Sequence, residues 1–271
     1  MPGAFRKCDN APLDYAGKQT MDQGIWATWY DLPEADTETY LAWLHEDYLP
    51  GLLRRPGYAW AAHYRITGGG SHMQEIHDRL SRTDAEDVPD GTQYLVLVGA
   101  ASPHVFFNPA AVENEQQESG KTGEMLALRR GTRVCIFSEE ARVTGPECAR
   151  SAPGSVTRPA IQMGSFRIRS VEEEYDLGAW YAQYRLPAMS RMPGCIRTRK
   201  LISAAGWAKH SVLYEFTSLE ARQEHFQGHE SLAFDDEVWT SKILFGYTIH
   251  APGSPSVGQR IWPPVSEHEQ E

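Results

Sequence analysis

No run of apolar residues in this chain is long enough to cross a bilayer, and the mean hydropathy of −0.49 excludes a membrane-spanning protein. An excess of positive charge is also missing. Twenty-six Lys and Arg face 36 Asp and Glu, a net charge of −10 that argues against nucleic acid, whose phosphates demand a basic surface. Cysteine is scarce: Cys8, Cys135, Cys148 and Cys195 stand far apart without a CxxC pair. That spacing predicts reduced thiols and a cytoplasmic protein rather than a disulfide framework. The polar stretch 1–23 has no apolar segment behind its basic residues, so no signal peptide is expected. Cofactor signatures are absent too: no Rossmann glycine pattern after a strand, no P-loop, no CxxCH. The expected cofactor is therefore none. Gly68-Gly69-Gly70 reads as a hinge ahead of a helix from Ser71, with Ser71 and Gln74 at capping-box spacing.

What the chain does contain is a repeat. Trp43, Leu49, Pro50, Arg55, Pro56 and Gly57 recur 137 positions later as Trp180, Leu186, Pro187, Met192, Pro193 and Gly194, and only one of the six changes type. A shared offset over such residues predicts a tandem duplication. Around it each copy reads as strand, helix, Pro-Gly turn and strand. The first strands are Ile25–Leu32 and Gln162–Arg169, the helices Thr37–Leu53 and Tyr175–Ser190, the second strands Tyr58–Ile66 and Cys195–Ser203. Proline ends each helix and glycine tolerates the turn after it. Third strands are expected at Gln93–Ala100 and His210–Phe216, second helices around Pro109–Leu128 and Leu219–Phe234, fourth strands at Thr132–Phe137 and Lys242–His250. The order β-α-β-β-α-β, twice, is an α+β architecture of two ferredoxin-like units. The units span residues 24–144 and 161–252; the first carries an insertion at 67–92, and 253–271 reads as a proline-rich wrapping tail.

Helix, Leu-Pro, six residues, Pro-Gly and strand together resemble the dimeric α/β-barrel superfamily, and within it the EthD-like proteins. The resemblance covers about two-thirds of the chain. It implies two antiparallel sheets facing each other as an α/β barrel, with a pocket enclosed between them. Relatives usually keep a histidine two residues before the helix proline, where this chain has Tyr48 and Arg185.

The candidate site follows from strand alternation. His63 and Arg65 share one face of the second strand, and Tyr58, Trp60, Ala62 and Tyr64 the other. An unpaired His and Arg do not suit an apolar core, so their face turns to solvent or into a polar pocket. At offset 137 His63 meets Lys200, a divergence that a single asymmetric site would produce. Carried into the first strands, the offset points Trp26, Thr28 and Tyr30 inward, with Ser165 and Arg167 opposite. His63, Tyr48 and Tyr30 are the catalytic candidates; Trp26, Arg65, Arg167 and Arg185 are those for binding substrate. His45, whose counterpart is Ala182, reads as surface or pocket rim. His225 and His229 have metal-sharing spacing but no evident third ligand, so no metal site is expected.

An aromatic wall with a cation suits a small aromatic or polyketide-like acid. The implied protein is a cofactor-independent enzyme, of lyase, decarboxylase, isomerase or oxygenase type, in which His or Tyr moves a proton. The alternative is a non-catalytic binding protein for a hydrophobic metabolite, and a haem enzyme is third, since some relatives ligate haem. Its partner is a small molecule; the insertion is expected to cover a barrel mouth or form a homodimer contact.

Overall fold

Strand alternation and one late strand close this chain into a barrel. The structure is a computed structural model that describes residues 22–150, 158–266 and 269. The first half contains β1 (Gly24–Asp31), helix α1 (residues 37–53), β2 (Tyr58–Ile66), the inserted helix α2 (Gly70–Arg79), β3 (Tyr94–Ala100), helices α3 (Ala111–Gln117) and α4 (Gly120–Leu126), and β4 (Arg130–Thr144). The second contains β5 (Ala160–Ile168), helix α5 (residues 171–189), β6 (Cys195–Gly206), β7 (His210–Phe216), helices α6 (residues 219–231) and α7 (residues 239–247), and β8 (Thr248–His250). A ninth strand, β9 (Ser256–Trp262), follows.

The strand order is β4-β1-β3-β2 in the first half and β8-β5-β7-β6 in the second, the same ferredoxin-like order twice. β4 pairs with β6 over a long antiparallel ladder, from Cys135 opposite Gly206 to Thr144 opposite Arg197. On the other side β9 lies between β2 and β5, and the ring closes at eight strands. Residues 253–271 had read as a wrapping tail, but β9 is part of the barrel wall. The fourth strand of the second half is correspondingly short. Lys242–Tyr247, expected to be strand, is helical, and only Thr248–His250 extends along β5. β9 takes the rest of that edge. Trp239, Lys242 and Tyr247 instead bond the Asp176 carboxylate at 3.0, 2.9 and 3.2 Å, fixing α7 to α5.

The two halves match locally. Each first helix contains one turn of π-helix, at Leu44–Tyr48 and at Tyr181–Arg185, again 137 positions apart. Each ends in a turn whose glycine has positive φ, +86° at Gly57 and +76° at Gly194, a conformation open to glycine without Cβ strain. The expected capping box at Ser71 does not form, because α2 starts at Gly70 behind a left-handed Gly69. A capping box does close α5, between Ser170 and Glu173.

The barrel interior is filled. Ile25, Ala27 and Trp29 of β1 meet Trp60, Ala62 and Tyr64 of β2, Phe137 of β4, Met163 of β5 and Leu201 of β6, all buried in one cluster without a helical residue. Trp26 and Tyr30 belong to a different cluster, formed with Tyr40, Trp43 and Leu44 of α1. The pocket expected between the sheets is therefore occupied by side chains, and Trp26 and Tyr30 face the helices. The sequence offset misplaced them because 137 is odd. It holds for the helices and second strands, but inward residues of β1 and β5 coincide at an even offset, so the link into the helix absorbs one residue. A shift of one exchanges the faces of a strand.

One end of the barrel carries a cluster of charge, where Arg197 and Arg199 of β6, Glu215 of β7 and Asp22 are all buried, while Arg133 of β4 is buried over Trp29 and donates to the Pro89 and Pro252 carbonyls. Arg197 Nη2 donates to Glu215 Oε1 at 2.7 Å, Arg142 Nη2 to Asp22 Oδ1 at 2.7 Å, and Arg199 pairs with the same aspartate. Burial opposes the charge on Asp22, but Arg199, Arg197 and Arg142 outweigh it and hold the carboxyl well below its usual range.

Inserted helix α2 packs on the second half, where Met73, Ile76 and Leu80 meet Val257 of β9 together with Phe234, Leu244 and Phe245. Cys135 and Cys195 are free and buried, whereas Cys148 is disulfide-bonded, which corrects the expectation of four reduced thiols. Cys8 lies outside the described residues. No helix among the described residues is long and apolar enough to cross a membrane.

Candidate functional site

The outward face of β2 meets α1 in the first half, and the polar residues of that contact form a chain. His63, at the centre of β2, is fully buried. Its Nε2 lies 2.9 Å from the Tyr30 hydroxyl, and its Nδ1 lies 2.8 Å from His45 Nε2 on the π turn of α1. His63 thus points neither to solvent nor into the barrel; it is sandwiched between sheet and helix. The π turn brings His45 over β2, and such turns recur at functional sites. His45 is half-buried and stacks on Trp262 of β9, with ring centroids 6.2 Å apart and planes at 18°. Tyr94 closes the other side, 5.3 Å from the His63 ring and 5.7 Å from Tyr30.

A second group of polar residues adjoins the first. Arg129, just before β4, donates from Nε to the Tyr40 hydroxyl at 2.6 Å and from Nη1 to Glu115 Oε1 of α3 at 3.1 Å. Its guanidinium lies 4.9 Å from the Tyr30 ring centre and 6.0 Å from that of Tyr48. The Tyr48 hydroxyl donates to Glu115 at 2.5 Å. Tyr48 also lines a cavity of about 230 Å³ with Trp43, Asp47, Arg55, Glu118 and Thr122. Polar contacts therefore run from that cavity through Glu115 and Arg129 to Tyr40, beside Tyr30, and on through His63 to His45.

Electrostatics sets the protonation of each member. Burial, then His45 and Arg129, push His63 well below its ordinary value, so its ring is neutral at neutral pH. Burial lowers His45 to about 4. Tyr30 is raised well above its ordinary value, mainly by burial. Burial works against the charge of Arg129, but Glu115 and the surrounding tyrosines more than restore it. Tyr48 is raised by burial and by the Glu115 charge.

Sequence reasoning placed Tyr30, Tyr48 and His63 together, and they do share this network. Trp26 packs on its edge, against Phe106 at 6.0 Å. Arg65 is exposed at its rim, 5.9 Å from the Tyr94 ring. The other two lie elsewhere. Arg167 is exposed beyond the barrel, its guanidinium 4.9 Å over Trp207. Arg185 is buried in the second half, 4.6 Å over Trp180. Arg129, Glu115, Tyr40, Tyr94 and Trp262 had not been singled out, and His45 had been assigned to surface or rim. One signal for His45 was available: its counterpart Ala182 showed that helix packing does not require it.

Among the described residues the second half has no equivalent His–His–Tyr chain. Lys200 stands at the position of His63, buried and bonded to Glu140 at 3.0 Å and to His210 Nδ1 at 3.2 Å. His225 and His229 do not converge: His225 lies 3.8 Å from Glu224, and His229 stacks on Tyr184. Among the described residues no group of three His, Cys, Asp or Glu could hold a metal ion. Haem does not fit at His63 either, because both ring nitrogens already have hydrogen-bond partners and neither is left for an iron.

No protein-family model and no curated protein matches the chain. Solved structures do. One, a protein of Fusobacterium nucleatum subsp. nucleatum named provisionally as a monooxygenase, is 7% identical, covers 88% of this chain and 91% of its own, and has a TM-score of 0.50. A dye-decolorizing peroxidase of Bacteroides thetaiotaomicron is 10% identical, covers 92% and 96%, and also scores 0.50. At such identities the likeness establishes the fold, an α/β barrel of ferredoxin-like units.

Proposed function

We propose that the chain is a cofactor-independent enzyme that moves protons on a small aromatic or polyketide-like acid, using the His45–His63–Tyr30 chain. The observation that carries this reading is the pair of consecutive hydrogen bonds through one buried, neutral imidazole. A neutral histidine can accept a proton at Nε2 while releasing one from Nδ1. As Tyr30 gives its hydroxyl proton to His63 Nε2, His63 gives its Nδ1 proton to His45 Nε2 and itself stays neutral. Tyr30 is left as phenolate and His45, half-buried at the edge of the site, as imidazolium until each exchanges a proton with substrate or solvent. Burial disfavours an imidazolium most strongly at His63, and exchange of tautomers is the route that never puts charge on that ring. Arg129, kept charged by Glu115, is placed to stabilise an anion developing on Tyr30 or on substrate oxygen. Trp43, Tyr48 and Arg55 around the adjoining cavity supply an aromatic wall and a cation, the pairing an aromatic acid needs.

The matched π turns and Pro-Gly turns support descent of the two halves from one duplicated unit, close to EthD-like proteins. The differences at His45 and Ala182, and at His63 and Lys200, support a single chemical site in the first half. A cytoplasmic location rested on four reduced thiols, and the disulfide at Cys148 removes that ground.

The test is turnover of a panel of aromatic acids and polycyclic phenols by the purified chain. His63→Ala is expected to slow turnover by roughly a hundredfold or more with little loss of binding, the scale of a lost general acid or base. Tyr30→Phe, which keeps the ring and removes only the hydroxyl, is expected to do the same. Binding without turnover across the panel would replace the enzyme with a binding protein for such compounds, and full activity in both variants would remove the chemistry from this chain of residues.

A further inference from the structure

Three arginines without an ion-pair partner among the described residues surround a groove formed by residues separate from the Tyr30–His63–His45 chain. The groove, about 570 Å³, lies between the end of the insertion and the second half, with Arg82, Arg167, Arg169 and Trp207 in its wall. A second cavity of about 370 Å³ shares Arg167 and Trp207 and continues along the β6–β7 turn to Lys209. None of the lining residues belongs to the Tyr30–His63–His45 chain.

Each guanidinium is held by neutral acceptors that occupy only part of it. Arg82 Nη1 donates to the carbonyls of Ser254 at 2.9 Å and Ala251 at 3.2 Å. Arg167 Nε donates to the carbonyl of Trp207 at 2.5 Å. Arg169 donates from Nε to the Gly246 carbonyl at 2.9 Å and from Nη2 to Ser81 Oγ at 2.7 Å. None of the three forms an ion pair among the described residues, although the chain carries a net charge of −10 and buried arginines such as Arg129, Arg197 and Arg222 each have an acid beside them. The acids nearby are Asp84, in the groove wall, and Asp78, which acts on Arg82 at longer range. Lys209, at the far end, is already paired with Glu174 at 2.5 Å.

Three like charges around one groove repel each other, and Asp84 in the wall and Asp78 near Arg82 offset this only in part, since neither forms an ion pair with them. The neutral acceptors orient the guanidinium planes and leave several N–H donors free, the preorganisation that recognition of an oxyanion requires. Trp207 and Ile249 add an apolar surface beside the cations. We propose that this groove is a binding site for a small organic anion, a phosphate or carboxylate joined to an apolar body, with Arg167 and Arg169 holding the oxyanion. The insertion then has a role: its segment Ser81–Ala85 forms one wall of the site.

The experiment is calorimetric titration of the full chain at low ionic strength with phenyl phosphate, benzoate and inorganic phosphate as separate probes. Saturable binding of phenyl phosphate or benzoate is expected, tighter than that of inorganic phosphate and weakened by added salt. Tighter binding of phenyl phosphate assigns the site to phosphates, and tighter binding of benzoate to carboxylates. Arg169→Ala and Arg167→Ala are each expected to weaken binding by roughly tenfold or more, as a lost charge-assisted hydrogen bond does. Both side chains are exposed, so the variants should unfold with the wild type; Arg169→Lys, which keeps the charge, guards against a folding defect and should recover part of the affinity. Two results would overturn the proposal: no saturable binding of any probe, or equal binding by wild type and both alanine variants. His63→Ala should leave these affinities unchanged, which separates this site from the proposed catalytic one.

Discussion

At the scale of single residues, the buried histidines make the protein sensitive to acid. His45 is lowered to about 4 and His250 to about 3, in both cases chiefly by burial, and His63 lies well below the ordinary 6.5. Their neutral forms are built into the fold. His250 bonds Ser254 Oγ at 3.0 Å and Thr248 Oγ1 at 2.9 Å, and His63 bonds Tyr30 and His45. Below pH 6.5 the unfolded chain takes up protons that the folded one refuses. The stability these groups contribute is therefore complete above about pH 6.5 and is lost as the pH falls toward their folded values. Urea unfolding followed between pH 7 and pH 4 should show a falling midpoint, and His250→Asn should flatten part of the fall. A midpoint that stays level over this range would mean the imidazoles are hydrated in the folded state.

Among the elements, those recognised from sequence were specified by neighbours in the chain. The Pro-Gly turns after α1 and α5 and the strand-helix order of both halves are local chemistry and formed as expected, except that Lys242–Tyr247 is helix where the fourth strand of the second half was expected. The elements that escaped depend on partners distant in sequence. β9 has Val257 and Ile261 spaced as a strand needs, but its place is set by β2 and β5, with Tyr64 opposite Arg260 and Met163 opposite Ser256. The same distance hid the site. His63 could be singled out by its divergence from Lys200, whereas its bond to His45 depends on how α1 lies across β2. The pocket was placed inside the barrel because a helix offset was extended into strands, where one residue reverses every side chain. A chain ending at Pro252 provides a test of β9. It lacks the Trp29 Nε1 to Ser256 Oγ bond of 3.1 Å and leaves β2 and β5 with open edges. Such edges recruit other chains, so size-exclusion chromatography should find it in soluble aggregates; a well-behaved species of unchanged size would show that the ring closes without β9.

For the molecule as a whole, the closed barrel divides its chemistry between outer faces and leaves the interior structural. The ion cluster at one barrel end illustrates this, since its members satisfy each other. Glu215 is fully buried and serves Arg197 while Arg199 Nε lies 3.5 Å from it. Glu215→Gln leaves two buried guanidinium groups undercompensated, and removing one partner of a buried pair costs about 3–5 kcal/mol. Equilibrium denaturation should register a loss of that size; a loss below about 1 kcal/mol would place water in the barrel end.

The seam between β2 and β9 also bears on how the protein is born. β2 ends at Ile66, and its neighbour starts at Ser256. On a ribosome the first half emerges complete in its own strand order, with the outer edge of β2 bare, and stays so until β9 has been made. Ring closure is thus the last folding step and joins the most distant partners, the kind of contact that forms slowly. During that interval the nascent chain carries an adhesive strand, and the burden of keeping it single falls on whatever shields newly made protein in the cell.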